Sequence, residues 1–134
     1  VAVPELMEPL YQVREGFAVN TLAQAAGIAA LSDEVFLRET VSANHAGRTW
    51  VYREFGRLGL RYVESHTNFV LVEIGQHAAA VCQGLLEKGV IVRPCGGYDL
   101  SDCIRVSVGT EAQNARFIQA LEKTLAECDI EIRP

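Results

Sequence analysis

Halfway along the chain the hydrophobic period changes, and that switch limits the folds open to it. Before residue 60 the apolar residues recur at helical spacing. From Asn68 to Ile74 they form a near-continuous, β-branched run (Asn-Phe-Val-Leu-Val-Glu-Ile), the mark of a strand buried on at least one face. Ala78, Val81, Cys82, Leu85 and Leu86 then return to helical spacing. Val90 to Arg93 reads as a short strand stopped by Pro94, and Cys95 to Asp102 as a loop around Gly96-Gly97. Cys103 to Val108 alternates, with Ile104, Val106 and Val108 on one face and Cys103, Arg105 and Ser107 on the other. Helices before and between short strands give an α/β (α+β) class.

The helical half has its own punctuation. Pro4 suits a first helical turn, and the run to about Arg14 sets Leu6, Leu10 and Val13 on one face. Thr21 with Gln24 reads as a capping box ahead of Leu22, Ala25, Ala26, Ala29 and Ala30. Asp33 starts a third helix. Its polar middle, with Gly47 inside, leaves open whether one helix or two runs to Arg57. Gly59 and Gly89 are helix stops. Thr110 with Gln113 is a second capping box, opening a helix with Ala115, Ile118, Leu121 and Leu125 on one side. Asp129 to Arg133 reads as a last short strand.

With 134 residues the chain has the length of one domain, and 49% hydrophobic residues can fill a core without staples. The net charge of −5 and the lack of a Lys/Arg cluster argue against nucleic acid. The longest uncharged run, Gly16 to Ser32, is too short and too polar to span a bilayer. The N-terminus shows no signal-peptide pattern, and its lack of Met suggests a processed or cut chain. Cys82, Cys95, Cys103 and Cys128 have no C-x-x-C spacing, and His45, His66 and His77 have no ligand spacing to them. The expectation is free thiols in a cytoplasmic protein with no metal site.

No nucleophile elbow, P-loop or dinucleotide fingerprint is present. Two arginines stand out instead. Arg105 lies within an alternating strand and Arg93 ends another beside the glycine-rich loop. An arginine set in a sheet must reach solvent, pair with a carboxylate such as Glu73 or Asp102, or meet an anion, for which its planar fork is suited. Asn68, opening a strand, is either an entry residue or a ligand contact.

These segments resemble the C-terminal part of the histidinol-phosphate aminotransferases, fold-type I enzymes dependent on pyridoxal phosphate. Val13 to Gln24 (VREGFAVNTLAQ) is similar to the family's VR-x-PFNVNSLAQ, and Leu58 to Val72 to LGL-x-Y-x-x-S-x-x-NF-x-x-V. Leu85 to Arg93 resembles LL-x-x-G-(I/V)-(I/L)-V-R, and Gly97 to Thr110 resembles GYGLPDYIRITVGT, followed by an N-x-x-F-(I/L)-x-A-L helix at Asn114 to Leu121. The ordered set covers nearly the whole chain. It departs from the pattern at Gly16 and Glu64, where the family has proline, at Ala18, where it has asparagine, and at Asp99 and Ser101, where it has glycine and proline.

The resemblance implies the enzyme's C-terminal small domain. Residues 1–60 would be a helical segment, with a long interdomain helix, joining an upstream large domain. Residues 61–134 would be a small α/β substrate-closing domain, its sheet covered on one side by helices. Arg105 would grip the substrate's α-carboxylate and its phosphate, Arg93 would be a second phosphate contact, and Asn68 would line the same pocket. The implied parent is a cytoplasmic homodimer of histidine biosynthesis. It moves an amino group between histidinol phosphate and 2-oxoglutarate, giving imidazole-acetol phosphate and glutamate. The Schiff-base lysine and the cofactor contacts would lie in the large domain, since Lys88 and Lys123 are this chain's only lysines and neither has the family's context. The chain alone is therefore expected to carry no catalytic or cofactor-binding residue, to bind no pyridoxal phosphate and to be inactive. The alternatives are an aminotransferase of the same class acting on aromatic or other amino acids, and a non-enzymatic ferredoxin-like effector-binding module.

Overall fold

The computed structural model describes residues 3–13 and 19–128, in two compact units, Val1–Glu39 and Thr40–Pro134. The motif residues from Arg14 to Ala18 and the expected strand at Asp129 to Arg133 lie outside the described residues.

The first unit holds helices α1 (Pro4–Gln12) and α2 (Thr21–Ser32) and the start of α3 (Glu34–Arg57). The N-cap of α2 is Asn20, whose side chain accepts the Ala23 N–H at 2.9 Å, and Gln24 Nε2 donates to the Val19 carbonyl at 2.7 Å. This corrects the expectation of Thr21 as cap: Thr21 is the first helical residue, and the Asn20 amide oxygen just upstream takes the role. Asp33 caps α3 as its position suggests, accepting the Phe36 N–H at 2.9 Å. No residue of α1 or α2 is buried.

The open question about α3 is answered: it is one helix of 24 residues, about 36 Å long at ~1.5 Å per residue. Gly47 is inside it because of what passes alongside. A Cβ there would stand 2.6 Å from Val108 Cγ1 and 3.2 Å from Asn114 Nδ2. The helix ends where Gly59 takes φ 66°, with Leu60 N–H closing back on the Phe55 carbonyl at 2.9 Å.

The second unit is a two-layer α/β structure. Strands β1 (Tyr62–Val63), β2 (Phe69–Glu73), β3 (Arg93–Pro94) and β4 (Cys103–Ser107) form an antiparallel sheet in the order β1-β2-β4-β3. Helix α4 (Ala78–Glu87) follows β2, and α5 (Glu111–Glu127) follows β4. Val70 and Val72 of β2 and Ile104 and Val106 of β4 turn to one face. There they form the core with Val51 and Phe55 of α3, Val81 and Leu85 of α4, and Phe117, Ile118, Leu121 and Leu125 of α5. Within the expected α4 stripe, Leu86 is the exception and stays exposed. Thr110 and Gln113 form the expected capping box.

The edges of the sheet differ from expectation. β1 has no alternating run long enough to announce it. It pairs with Val72 and Leu71 of β2, while Tyr62 stacks on Tyr52 of α3 at 4.5 Å between centroids. β3 is not Val90 to Arg93 but Arg93–Pro94, because only these two residues come into register, opposite Arg105 and Ile104. Pro94 is tolerated because β3 is an edge strand whose outer N–H needs no sheet partner.

Candidate anion-binding site on the open sheet face

The residues of β2 and β4 that do not face the core face outward: Phe69, Leu71 and Glu73 on one strand, Cys103, Arg105 and Ser107 on the other. Strand β4 is internal to the sheet, so Arg105 rises from a backbone hydrogen-bonded on both sides. The register places Arg93 directly opposite it. Two like charges in that relation oppose each other and lower the stability of the pairing. An anion between them would relieve that opposition.

Among the described residues neither guanidinium has a carboxylate partner. Glu73, a candidate from the sequence, is held by Arg61, and the other ion pairs lie elsewhere. Each arginine is instead set against an aromatic ring. Arg105 Cζ stands 4.9 Å from the centroid of Phe69. Arg93 Cζ stands 5.8 Å from the centroid of Tyr98, and its Nη2 donates to the Tyr98 hydroxyl at 3.1 Å. Together with Ile91, Val92, Pro94 and Ser107 the two arginines line an open groove of about 470 Å³. A flat cation with free N–H edges at a concave surface recognises carboxylate or phosphate.

Tyr98 is brought to Arg93 by the loop that reads as glycine-rich. Gly96–Tyr98 form a single 3-10 turn. Asp99, at φ 59°, takes the left-handed conformation that closes it. The family pattern has glycine at that position, for which this backbone carries no steric cost.

Asn68 is exposed. Its carbonyl accepts the Val108 N–H at 2.8 Å, extending the β2–β4 ladder, and it is not among the residues lining the arginine groove. The turn before it is tied to α3, where Asn44 Nδ2 and Arg48 Nη1 both donate to the Thr67 carbonyl, at 3.2 and 2.8 Å. At the same end of the ladder Asn114, buried on α5, clasps Gly109: it accepts the Gly109 N–H at 2.8 Å and donates to the carbonyl at 3.0 Å. These clasps tie down the Phe69–Ser107 end of the strand pair that carries Phe69 and Arg105.

Neither lysine enters the groove. Lys88 pairs with Glu127 at 2.5 Å, and Lys123 is exposed on α5. The four cysteines are free. Burial pushes the Cys82 thiol above the ordinary range, with help from Cys95, and burial followed by Glu73 does the same to Cys103. These are not activated nucleophiles. Among the described residues no group of His, Cys, Asp and Glu could hold a metal ion, and no helix is long and apolar enough to cross a membrane.

Residues 1–121 match the model of the aminotransferase class I and II family. The chain belongs to that family. It is 49% identical over 124 residues to a histidinol-phosphate aminotransferase of Symbiobacterium thermophilum, covering 92% of this chain and 34% of the relative. It is 48% identical over 132 residues to histidinol-phosphate aminotransferase 2 of Ralstonia nicotianae, covering 96% and 35%. A solved histidinol-phosphate aminotransferase from Sinorhizobium meliloti, in complex with pyridoxal-5'-phosphate, superposes with a TM-score of 0.80 at 29% identity over 93% of this chain and 35% of that one. The corresponding enzyme of Clostridium acetobutylicum, at 21% identity and a TM-score of 0.77 over 92% of this chain and 38% of that one, shares the fold. The chain thus spans about a third of the length of the relatives it matches.

Proposed function

We propose that this chain is the substrate-gripping C-terminal part of a histidinol-phosphate transaminase. The observation that carries the reading is the opposed pair Arg93 and Arg105, with no carboxylate between them, on the open face of a rigid sheet. Such a pair can hold the carboxylates of glutamate and 2-oxoglutarate in one half-reaction and the phosphate of histidinol phosphate in the other. Arg105, internal to the sheet, would be the main grip, and Arg93 on the edge strand a second contact for the larger anion. Asn68 would line the same pocket from the entry to β2, although it is not among the residues of the arginine groove in this chain.

Within that reading, residues 1–60 join a large domain and residues 61–134 close over the substrate. The all-round apolar character of α2, none of it buried, supports a covered position in a longer polypeptide. The cofactor of the parent would be pyridoxal phosphate, which supplies the electron sink for amino transfer. This chain's residues do not fit that group. Neither lysine lines the groove: Lys88 caps the end of α4 and pairs with Glu127, and Lys123 is exposed on α5. What the chain supplies is binding and orientation: it holds the substrate's anionic end while chemistry proceeds at the amino-bearing carbon. The parent would act in the cytoplasm as a homodimer.

The test uses the longer polypeptide that would carry this chain at its C-terminal end. Purified with pyridoxal phosphate, it should convert histidinol phosphate and 2-oxoglutarate to imidazole-acetol phosphate and glutamate. The 134-residue chain alone, treated with pyridoxal phosphate and borohydride, should give no specific adduct. A defined reduced adduct on Lys88 or Lys123 would contradict the division of labour. A parent that prefers an aromatic donor and ignores histidinol phosphate would support the same-class alternative instead.

A further inference from the structure

A long, flexible cation recognises an anion well only if its plane is fixed before the anion arrives. The usual way to fix an arginine is a carboxylate, which also uses up its donors and neutralises its charge. Arg105 has no such partner among the described residues. Its cross-strand neighbours are Leu71 on β2 and Arg93 on β3. The first offers nothing polar and the second repels it, pressing the guanidinium toward β2. What receives it there is the ring of Phe69, one diagonal step along β2 on the same face, with Cζ 4.9 Å from the centroid. The negative face of an aromatic ring attracts a cation within about 6 Å, and it does so without accepting any of the five N–H groups.

We infer that Phe69 is a positioning residue for the anion site: its ring sets the plane of the Arg105 guanidinium and leaves every donor free. This rests on the anion-binding reading above and adds the residue that makes the grip specific. Tyr98 plays the outer counterpart at a cost of one donor, because its hydroxyl accepts from Arg93. Across the face the order is ring, cation, cation, ring. Arg105 is therefore the bidentate fork, and Arg93, already committed at one nitrogen, the supplementary contact. The aromatic faces hold both cations in place against their mutual repulsion until an anion bridges them.

The experiment uses NMR of the 134-residue chain, with the Arg105 side-chain signals assigned through Arg105→Lys, and inorganic phosphate as the probe. In the native chain the Arg105 δ-CH₂ and Nε–H signals should lie upfield of ordinary arginine positions through the ring current of Phe69. Phe69→Tyr should keep that displacement and bind phosphate within about twofold of the native chain. Phe69→Leu, with sheet amides unchanged, should lose it and bind phosphate about 3- to 10-fold more weakly. Ordinary Arg105 signals in the native chain would overturn the inference without any variant, which covers the case of Phe69→Leu failing to fold. Displaced signals with phosphate affinity unchanged in Phe69→Leu would also overturn it. Displaced signals with no phosphate binding by the native chain would instead overturn the anion reading, and the positioning role with it, while the stacking itself stood.

Discussion

The two units of this chain use apolar residues in opposite ways. In the second, α4 carries a stripe, and Ala78, Val81 and Leu85 are buried against sheet and α5. In the first, α2 is apolar on all sides, yet Leu22 and Leu31 are 83% and 88% exposed. A stripe directs a helix toward one neighbour and can be satisfied within a small unit. A helix without a polar side needs cover all round. The contrast teaches that apolar content alone does not locate a core; its angular distribution does.

The largest test of this contrast is truncation on each side. Phe55→Ala, removing a fully buried ring that meets Phe117 edge-on, should lower the stability of the chain by about 3–5 kcal/mol in urea unfolding. Leu31→Ala should change it by no more than about 0.5 kcal/mol. A cost above about 1 kcal/mol at Leu31 would break the comparison, because that residue would then be packed within this chain.

Next in size is Gly47→Ala. In an isolated helix this change would stabilise by about 1 kcal/mol, but here the new methyl would meet Val108 at 2.6 Å. A net loss of about 1–2 kcal/mol is expected, and a gain in thermal midpoint would show that α3 does not approach Val108 that closely. Asp99→Gly should act in the other direction. It relieves the left-handed backbone at φ 59° and gives up some unfolded-state restriction, for a gain of up to about 1 kcal/mol by the same measurement. The smallest effect concerns pH. Cys82 and Cys103 have folded pKa values above the ordinary thiol range, so the fold favours their protonated forms. Their contribution is complete below the unfolded thiol pKa and is lost as pH rises through it toward the folded values. Urea midpoints should fall as pH rises above the ordinary thiol pKa of about 8.5, and less so in a Cys82→Ala/Cys103→Ala chain. Equal falls in both would remove the thiols from the account.

Period and punctuation were enough to read most of the second unit. Ile104 and Val106 against Arg105, the Thr110–Gln113 box and the stops at Gly59 and Gly89 are local signals, and local geometry follows them. What could not be read depends on pairing at a distance. β1 is two residues long and exists through Leu71 and Val72. The reason for Gly47 is a valine 61 positions away. The cap of α2 turned on which of two adjacent oxygen-bearing residues, Asn20 or Thr21, lay outside the helix. At the site, the pattern marked both arginines but not their opposition, because Val90 to Arg93 gives no register. Phe69 went unmarked within its apolar run. Its place on the face of Leu71, and its ring beside the Arg105 cation, follow from the register of β2 with β4.

On the proposed function, the guanidinium at position 105 holds the anionic end of both substrates. The direct measurement of this claim is steady-state kinetics of the parent polypeptide with Arg105→Ala, varying histidinol phosphate and 2-oxoglutarate in turn. Leaving a buried anion unpaired costs about 2–5 kcal/mol, so kcat/KM should fall by about 30-fold or more for both. Unchanged values for both substrates would contradict the claim and remove Arg105 from the site.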